Sequence, residues 1–434
     1  MNYRELYKSK LVSIEQAAER VESGWVIGMD AAASQADGIV SALCKAAPSM
    51  GLKGVKIHTM LDCYPYDFYA TNALDGIING VSWFSSAGAK KAVAEGYGDY
   101  IPNYYRDCPG IMRNYYHYDA YFASVSPMDE NGNFSLATTS SYSEAMIEKS
   151  DRIFLEVNEF QPYVPGGLLI NINDVELVAE NSHALPVLPQ AKLDETSITI
   201  GNIIAEQIPD GACIQLGIGA IPDAVGNALK SKHDLGIHTE MFTDSMVELI
   251  NCGAVTNTRK QTHIGKTVTT FAFGSQRIYD FLNNNDDILI LPVDYVNDPN
   301  VICRNDNVIS INSCVAVDFY GQVCSESIGP RHLSGSGGQV DYVRGATQSK
   351  GGKSFIAFES TTKGGTISKI SASLAEGAVV TTSKNDVDYI VTEYGLAHMR
   401  GESLSSRVRN LIAIAHPDFR DELMFEAKKR GIII

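Results

Sequence analysis

Ala18–Leu43 reads AERVESGWVIGMDAAASQADGIVSAL, and Ala205–Leu229 reads AEQIPDGACIQLGIGAIPDAVGNAL. Ala18, Glu19 and Gly24 align with Ala205, Glu206 and Gly211 at an offset of 187, and after one gap Ala42–Leu43 align with Ala228–Leu229. Further along, Ile57-His58-Thr59-Met60 matches Ile237-His238-Thr239-Glu240 at an offset of 180. Asp129-Glu130-Asn131-Gly132 then matches Asp318-Phe319-Tyr320-Gly321 at an offset of 189. Three anchors in one order imply two related halves.

Each half alternates short β-branched runs with longer helical patterns. Strands are expected at Trp25–Gly28, Arg152–Val157, Ala212–Leu216, Ile288–Val293 and Ile390–Thr392. That alternation specifies the α/β class: two related open α/β domains with largely parallel sheets, pseudo-duplicated. The stretch Ala184–Lys192, ALPVLPQAK, carries two prolines and reads as a linker. The expected organisation is a domain over 1–184, a linker over 185–195 and a second domain over 196–434. Where the second half has Glu240, the first has Met60. An ionisable group facing an apolar wall suits one active site at the interface of the two domains.

The composition narrows the classes. The chain has 434 residues, 44% hydrophobic and 20% charged, with a net charge of −16. This excludes disorder, collagen-like repeats and small disulfide scaffolds. An acidic balance argues against nucleic acid and against an anionic membrane as partners, because both want a basic surface. No run of 18 apolar residues marks a span, and Met1–Leu11 has no signal-peptide core. Eight cysteines without a CxxC pair read as reduced thiols in a cytoplasmic protein. Nine histidines without HxxxH or HxH spacing give no metal site.

Four stretches carry candidate chemistry. Gln215-Leu216-Gly217-Ile218-Gly219 follows a strand and precedes a helical pattern. Its glycines suit anion binding at a helix N-terminus, or simply a tight strand-helix turn. The pattern is GxGxxP, so a dinucleotide fingerprint is incomplete. Glu240 falls at the end of a short strand, ahead of a helix expected over Phe242–Ile250. It suits a nucleophile, a general base or a charge favoured by the helix dipole. Ser334-Gly335-Ser336-Gly337-Gly338-Gln339 reads as an exposed loop whose amides can converge on an oxyanion, or as a hairpin tip. Toward the end, Pro417 and Asp418 start a helix that buries Phe419, Leu423 and Ala427.

QLGIGAIPDAV, IHTEMFTD, INSCVAVDFYGQV, GSGGQVDY, TEYGLAHMRG and LIAIAHPDFRDEL together resemble the acetyl-CoA hydrolase/transferase family, within CoA-transferase family I. The resemblance covers essentially the whole chain. The Tyr-rich stretch Ile101–Tyr121 looks most like the 4-hydroxybutyrate CoA-transferase branch, with the butyryl-CoA:acetate CoA-transferases as neighbours. The resemblance implies that Glu240 is a catalytic nucleophile in ping-pong transfer of CoA between short acyl-CoA and free carboxylates. It implies CoA contact and oxyanion support from Gln215 through Gly219, and from Gly337, Gly338 and Gln339. It sets Asn312 and Val315 near the pantetheine arm. Lys363, Lys369 and Arg400 are candidate phosphate contacts. Acyl-CoA is then a substrate, with no permanently bound cofactor, and the assembly is a homodimer or homotetramer. Gly28–Gln35 should help shape the acid pocket, and there Asp30 and Gln35 depart from the family pattern. An acyl-CoA hydrolase on the same scaffold needs the same glutamate. A non-enzymatic CoA sensor leaves the Glu240/Met60 asymmetry unexplained.

Overall fold

The computed structural model describes residues 2–189 and 191–434; of the expected linker, Gln190 lies outside the described residues, as does Met1. The chain divides into two compact units. One comprises Met1–Pro189 and Val268–Val296, the other Gln190–Thr267 and Asn297–Ile434. This differs from the uninterrupted second domain, 196–434, expected from the sequence. The reason lies in backbone pairing within the first unit. Ser140 N–H donates to the Thr270 carbonyl, Leu188 N–H to Gly274 and Ile290 N–H to Gly166, at 2.9–3.0 Å. Gly166 admits this approach, since a Cβ there would lie 2.3 Å from the Ile288 carbonyl oxygen.

The first unit is built on an eight-stranded sheet. Its order is Leu11–Val12, Leu177–Glu180, Ile153–Val157, Ala120–Val125, Val26–Met29, Val55–Thr59, Ile78–Ser82 and Asp99–Tyr100. Every neighbouring pair is parallel. Parallel strands covered by helices on both faces need continuous apolar runs. Ala120–Val125 and Ile153–Val157 are accordingly buried at every position. The helix Asp37–Met50 lays Ile39, Val40, Leu43, Cys44 and Ala47 on this core and ends at Gly51, whose φ is +71°.

The second unit holds a six-stranded sheet. Its order is Gly236–Ile237, Cys213–Leu216, Val308–Asn312, Lys353–Ala357, Tyr389–Thr392 and Gly395–His398. All pairs are parallel except the last, an antiparallel hairpin. The helix Pro417–Lys429 buries Leu423 and Ala427, and Phe419 packs against the same core.

Sheet register bears on the repeat. Ile27 pairs with Ile57 in the first sheet, and Ile214 pairs with Ile237 in the second. These are the residues that the offsets 187 and 180 equate. Likewise Ile27 pairs with Ala120 and Ile214 with Ile309, the offset 189. The two Asp-x-x-Gly turns also agree. Asp129 Oδ1 accepts N–H bonds from Asn131 and Asn133, at 2.9 and 2.7 Å. Asp318 Oδ1 accepts from Tyr320 and Gln322, at 3.0 and 2.9 Å. Gly132 and Gly321 have φ of +80° and +82°.

Candidate active site

In the second sheet, Cys213–Leu216 has Gly236–Ile237 on one side and Val308–Asn312 on the other. Open α/β sheets bind ligands at such a divergence, beyond the carboxyl ends of the strands. Glu240 lies three residues beyond the edge strand Gly236–Ile237. His238 and Thr239 between them are fully buried, and the Thr239 hydroxyl donates to the Met241 carbonyl at 3.1 Å. The backbone stays extended through Met241–Phe242, so the following helix begins at Asp244, two residues later than expected.

Glu240 is half-buried as a residue, and its carboxylate is turned inward and held from two directions. Asn297 Nδ2 donates to Oε2 at 2.7 Å. The backbone N–H of Gly338 supplies a second hydrogen bond. Gly338 is the residue that precedes the helix Gln339–Gln348, so the carboxylate sits at a helix N-terminus. Any side chain at 338 would displace this pair: a Cβ there would lie 1.9 Å from Glu240 Oε2 and 2.3 Å from Asn297 Nδ2. Burial pushes the Glu240 carboxyl up to about 7, against the lowering by Asn297 and Gly338. Tyr342, on the first turn of that helix, is buried, and its phenol is raised by burial and by the charge of Glu240.

The loop before that helix is not the exposed loop expected from its glycines. Gly335 and Gly338 are buried, and Ser334, Ser336 and Gly337 are half-buried. Val340, Tyr342, Val343 and Ala346 anchor the helix, which draws the loop in with it. The Gln339 side chain turns to Thr382 Oγ1, at 2.9 Å.

Gln215 is held in a separate amide pair. Its Oε1 accepts from Ile311 N–H and from Asn312 Nδ2, both at 3.2 Å, and its Nε2 faces Asn312 Oδ1 at 3.4 Å. This pair locks the carboxyl ends of two adjacent strands. Leu216 is buried, Gly217 donates to the Ile311 carbonyl, and Ile218 is exposed. Gly219, with φ of +117°, starts the helix Ala220–Ala228. Val315 is half-buried and bonds to the Cys324 carbonyl. Lys363 stands exposed at the turn between Thr361–Thr362 and Ile367–Ser368. Lys369 is half-buried, and Arg400 is exposed.

In the first unit, Asp30 follows the strand Val26–Met29 and is fully buried. It accepts from the Tyr121 hydroxyl at 2.5 Å, from Ala31 N–H at 2.7 Å and from Ser143. Burial still pushes it up to about 7. Gln35 donates to Asp62 at 3.0 Å, and Asp62 is pushed up to about 6 by burial. Asp37, Glu156 and His183 form the one group among the described residues with metal-like spacing. Glu156 there already accepts from Gly38 N–H, Ile39 N–H and Asn181 Nδ2, at the N-terminus of the helix Asp37–Met50. Those donors and the helix dipole oppose a cation.

Asn297 is the site residue that the sequence does not reveal. It stands before Asp298-Pro299, which reads only as a helix start, and Asp298 does cap the helix Pro299–Ile302.

The fold and site define the class, an α/β enzyme that carries a glutamate held by amide donors at the carboxyl end of its second sheet. Residues 1–189 match the acetyl-CoA hydrolase/transferase N-terminal domain, and residues 274–427 match its C-terminal domain. The chain is 44% identical to a succinyl-CoA:cyclohexane-1-carboxylate CoA transferase of Geobacter metallireducens, covering 100% of this chain and 98% of that protein. It is 42% identical to a 4-hydroxybutyrate coenzyme A transferase of Clostridium kluyveri, covering 99% and 100%. The crystal structure of RipA from Yersinia pestis superposes with a TM-score of 0.94 at 36% identity, over 100% of both chains. The chain belongs to the acetyl-CoA hydrolase/transferase family.

Proposed function

We propose that this protein is a CoA-transferase that moves CoA between short-chain acyl-CoA and free carboxylates, with 4-hydroxybutyrate or butyrate and acetyl-CoA as its substrates. One observation carries the reading: a carboxylate pushed up to about 7 by burial, yet bonded by Asn297 and the Gly338 amide. Desolvation makes the ionised form a stronger nucleophile, and the two donors fix its direction. A Glu240 oxygen attacks the thioester carbonyl, the C–S bond breaks and CoA leaves as a thiolate, giving a mixed anhydride. The thiolate then attacks the glutamyl carbonyl carbon. The anhydride C–O bond breaks, the first acid leaves as carboxylate, and a glutamyl-CoA thioester remains. An incoming carboxylate runs the steps in reverse.

The thiolate's addition places negative charge on a Glu240 oxygen, the group to which the Asn297 amide and the Gly338 N–H already donate. The Gln215–Asn312 pair fixes two strand ends beside which CoA is to lie. Remote binding of the CoA nucleotide lowers the barrier at the thioester. Acyl-CoA is a substrate here and no cofactor is bound permanently. The reading carries with it a cytoplasmic homodimer or homotetramer.

The test is direct. Protein incubated with acetyl-CoA and then borohydride should show an acyl-CoA-dependent mass change at Glu240. An acceptor panel of acetate, butyrate, 4-hydroxybutyrate, succinate and propionate then ranks the acids. Absence of any adduct at Glu240, or CoA release that ignores every carboxylate, overturns the reading.

A further inference from the structure

Lys260 is buried, with 4% of its surface exposed, and no carboxylate pairs with it among the described residues. Burying an ammonium without a counter-charge is costly unless carbonyls replace its water. Its Nζ donates to the Ile237 carbonyl at 2.8 Å and to the Lys266 carbonyl at 2.6 Å. Burial draws it down to about 8, slightly opposed by the Cys213 thiol.

The place of these bonds is telling. Gly236 and His238 direct their N–H groups into the sheet, to the carbonyls of Ala212 and Ile214. Alternation therefore turns both polar groups of Ile237 outward, at the edge of the sheet. Two residues earlier, Leu235 still pairs with the backbone at Val255. At Ile237 two side chains take over. Asn257 Oδ1 accepts the Ile237 N–H at 2.8 Å, and Lys260 meets its carbonyl. Asn257 is itself braced, donating to Thr267 Oγ1 at 3.0 Å. Gly236 makes room, because a Cβ there would lie 2.5 Å from Lys260 Cγ. The strand so gripped runs on through His238 and Thr239 to Glu240.

We propose that Asn257 and Lys260 stand in for the missing next strand and are positioning residues for Glu240. This rests on Glu240 being the nucleophile of CoA transfer. The clamp fixes the strand end from which the carboxylate projects, so it sets the chemical step and leaves CoA binding alone.

The experiment uses the full chain with Lys260→Met, which keeps the stem and removes the ammonium, and Lys260→Arg. A third variant, Asn257→Gly, suits the φ of +57° at that position and removes the acceptor for Ile237. Peptide-level hydrogen exchange over 236–242 and steady-state kinetics with acetyl-CoA and butyrate are read together. Expected for Lys260→Met and Asn257→Gly are faster exchange confined to that peptide and a roughly tenfold lower kcat, with KM for acetyl-CoA within about twofold. Lys260→Arg should recover part of the kcat. Unchanged exchange in a folded variant overturns the clamp. Faster exchange with unchanged kcat overturns its catalytic part. If Lys260→Met does not fold, Asn257→Gly decides by the same two readings. A wild-type protein with no transferase activity and no Glu240 adduct overturns the functional reading and with it the catalytic part, while exchange still decides the clamp.

Discussion

Asn297 Nδ2 lies 2.7 Å from Glu240 Oε2, a charge-assisted contact between residues far apart in the chain. Asn297 is fully buried, and its Oδ1 has no partner among the described residues. The carboxylate is thus the hydrogen-bond partner of the Asn297 side chain among the described residues. Asn297→Ala should lower kcat by about 10²-fold, the usual effect of losing one oxyanion donor. Asn297→Asp should instead place a like charge beside Glu240 and raise its pKa further, shifting the acid limb of the rate profile upward. Steady-state kinetics of both variants across pH check this.

Glu240→Gln should abolish transfer, by roughly 10³-fold or more, and remove the acyl-CoA-dependent adduct. The fold should survive. Burial raises the carboxyl from 4.5 to about 7, so ionising it in the folded protein reduces stability as pH climbs through that window. The glutamine variant escapes this. Its melting temperature should equal or exceed that of the wild type at pH 8, and the two should converge near pH 4.5.

The same shift sets the pH dependence of the reaction. The nucleophile is the carboxylate, so kcat/KM for acyl-CoA should fall about tenfold per pH unit below about 7. An unperturbed glutamate would place that limb near 4.5. A pH–rate profile distinguishes the two directly.

Gly338→Ala adds a single methyl group 1.9 Å from Glu240 Oε2. Either the carboxylate or the helix Gln339–Gln348 must move. A displacement of this size should cost at least about 10²-fold in kcat. Alanine tolerates the local φ of −92° and ψ of 11°, so the loss should come without unfolding. Circular dichroism beside kinetics separates the two effects.

The paired turns offer a test of the repeat itself. Asp129→Ala and Asp318→Ala each remove the acceptor of two backbone N–H groups. Each should lower stability by about 1–2 kcal/mol. Asn at either position keeps one acceptor oxygen and should lose less. Denaturant unfolding of the four variants reads this out.

The repeat and Glu240 were legible because they are local. Ile57-His58-Thr59 and Ile237-His238-Thr239 share letters, and the difference at the next position stands out as Met60 against Glu240. Gly338 was legible as a glycine-rich loop but not as a close contact, since what presses on it lies far away in the chain. Asn297 left no signal, because Asn-Asp-Pro explains itself as a helix start. Gln215 was visible as a side-chain amide, whereas its engagement with Asn312 depends on strand pairing across 97 positions. The first division of the chain, between Pro189 and Gln190, falls within the expected linker, whereas the interruption of the second domain was hidden for a related reason. The return of Val268–Val296 to the first unit is written in backbone bonds, which composition does not display.

That return has a consequence for how the protein is made. The first unit is not finished when its sheet strands have all been synthesised; it waits for Val268–Val296, after the second unit has begun. Emerging from the ribosome, residues 2–189 lack the strand edge that Ser140, Gly166 and Leu188 later engage. Neither unit can mature as a self-contained parcel during translation, and a gene cut at the proline linker would yield an N-terminal fragment with open backbone groups, prone to aggregate.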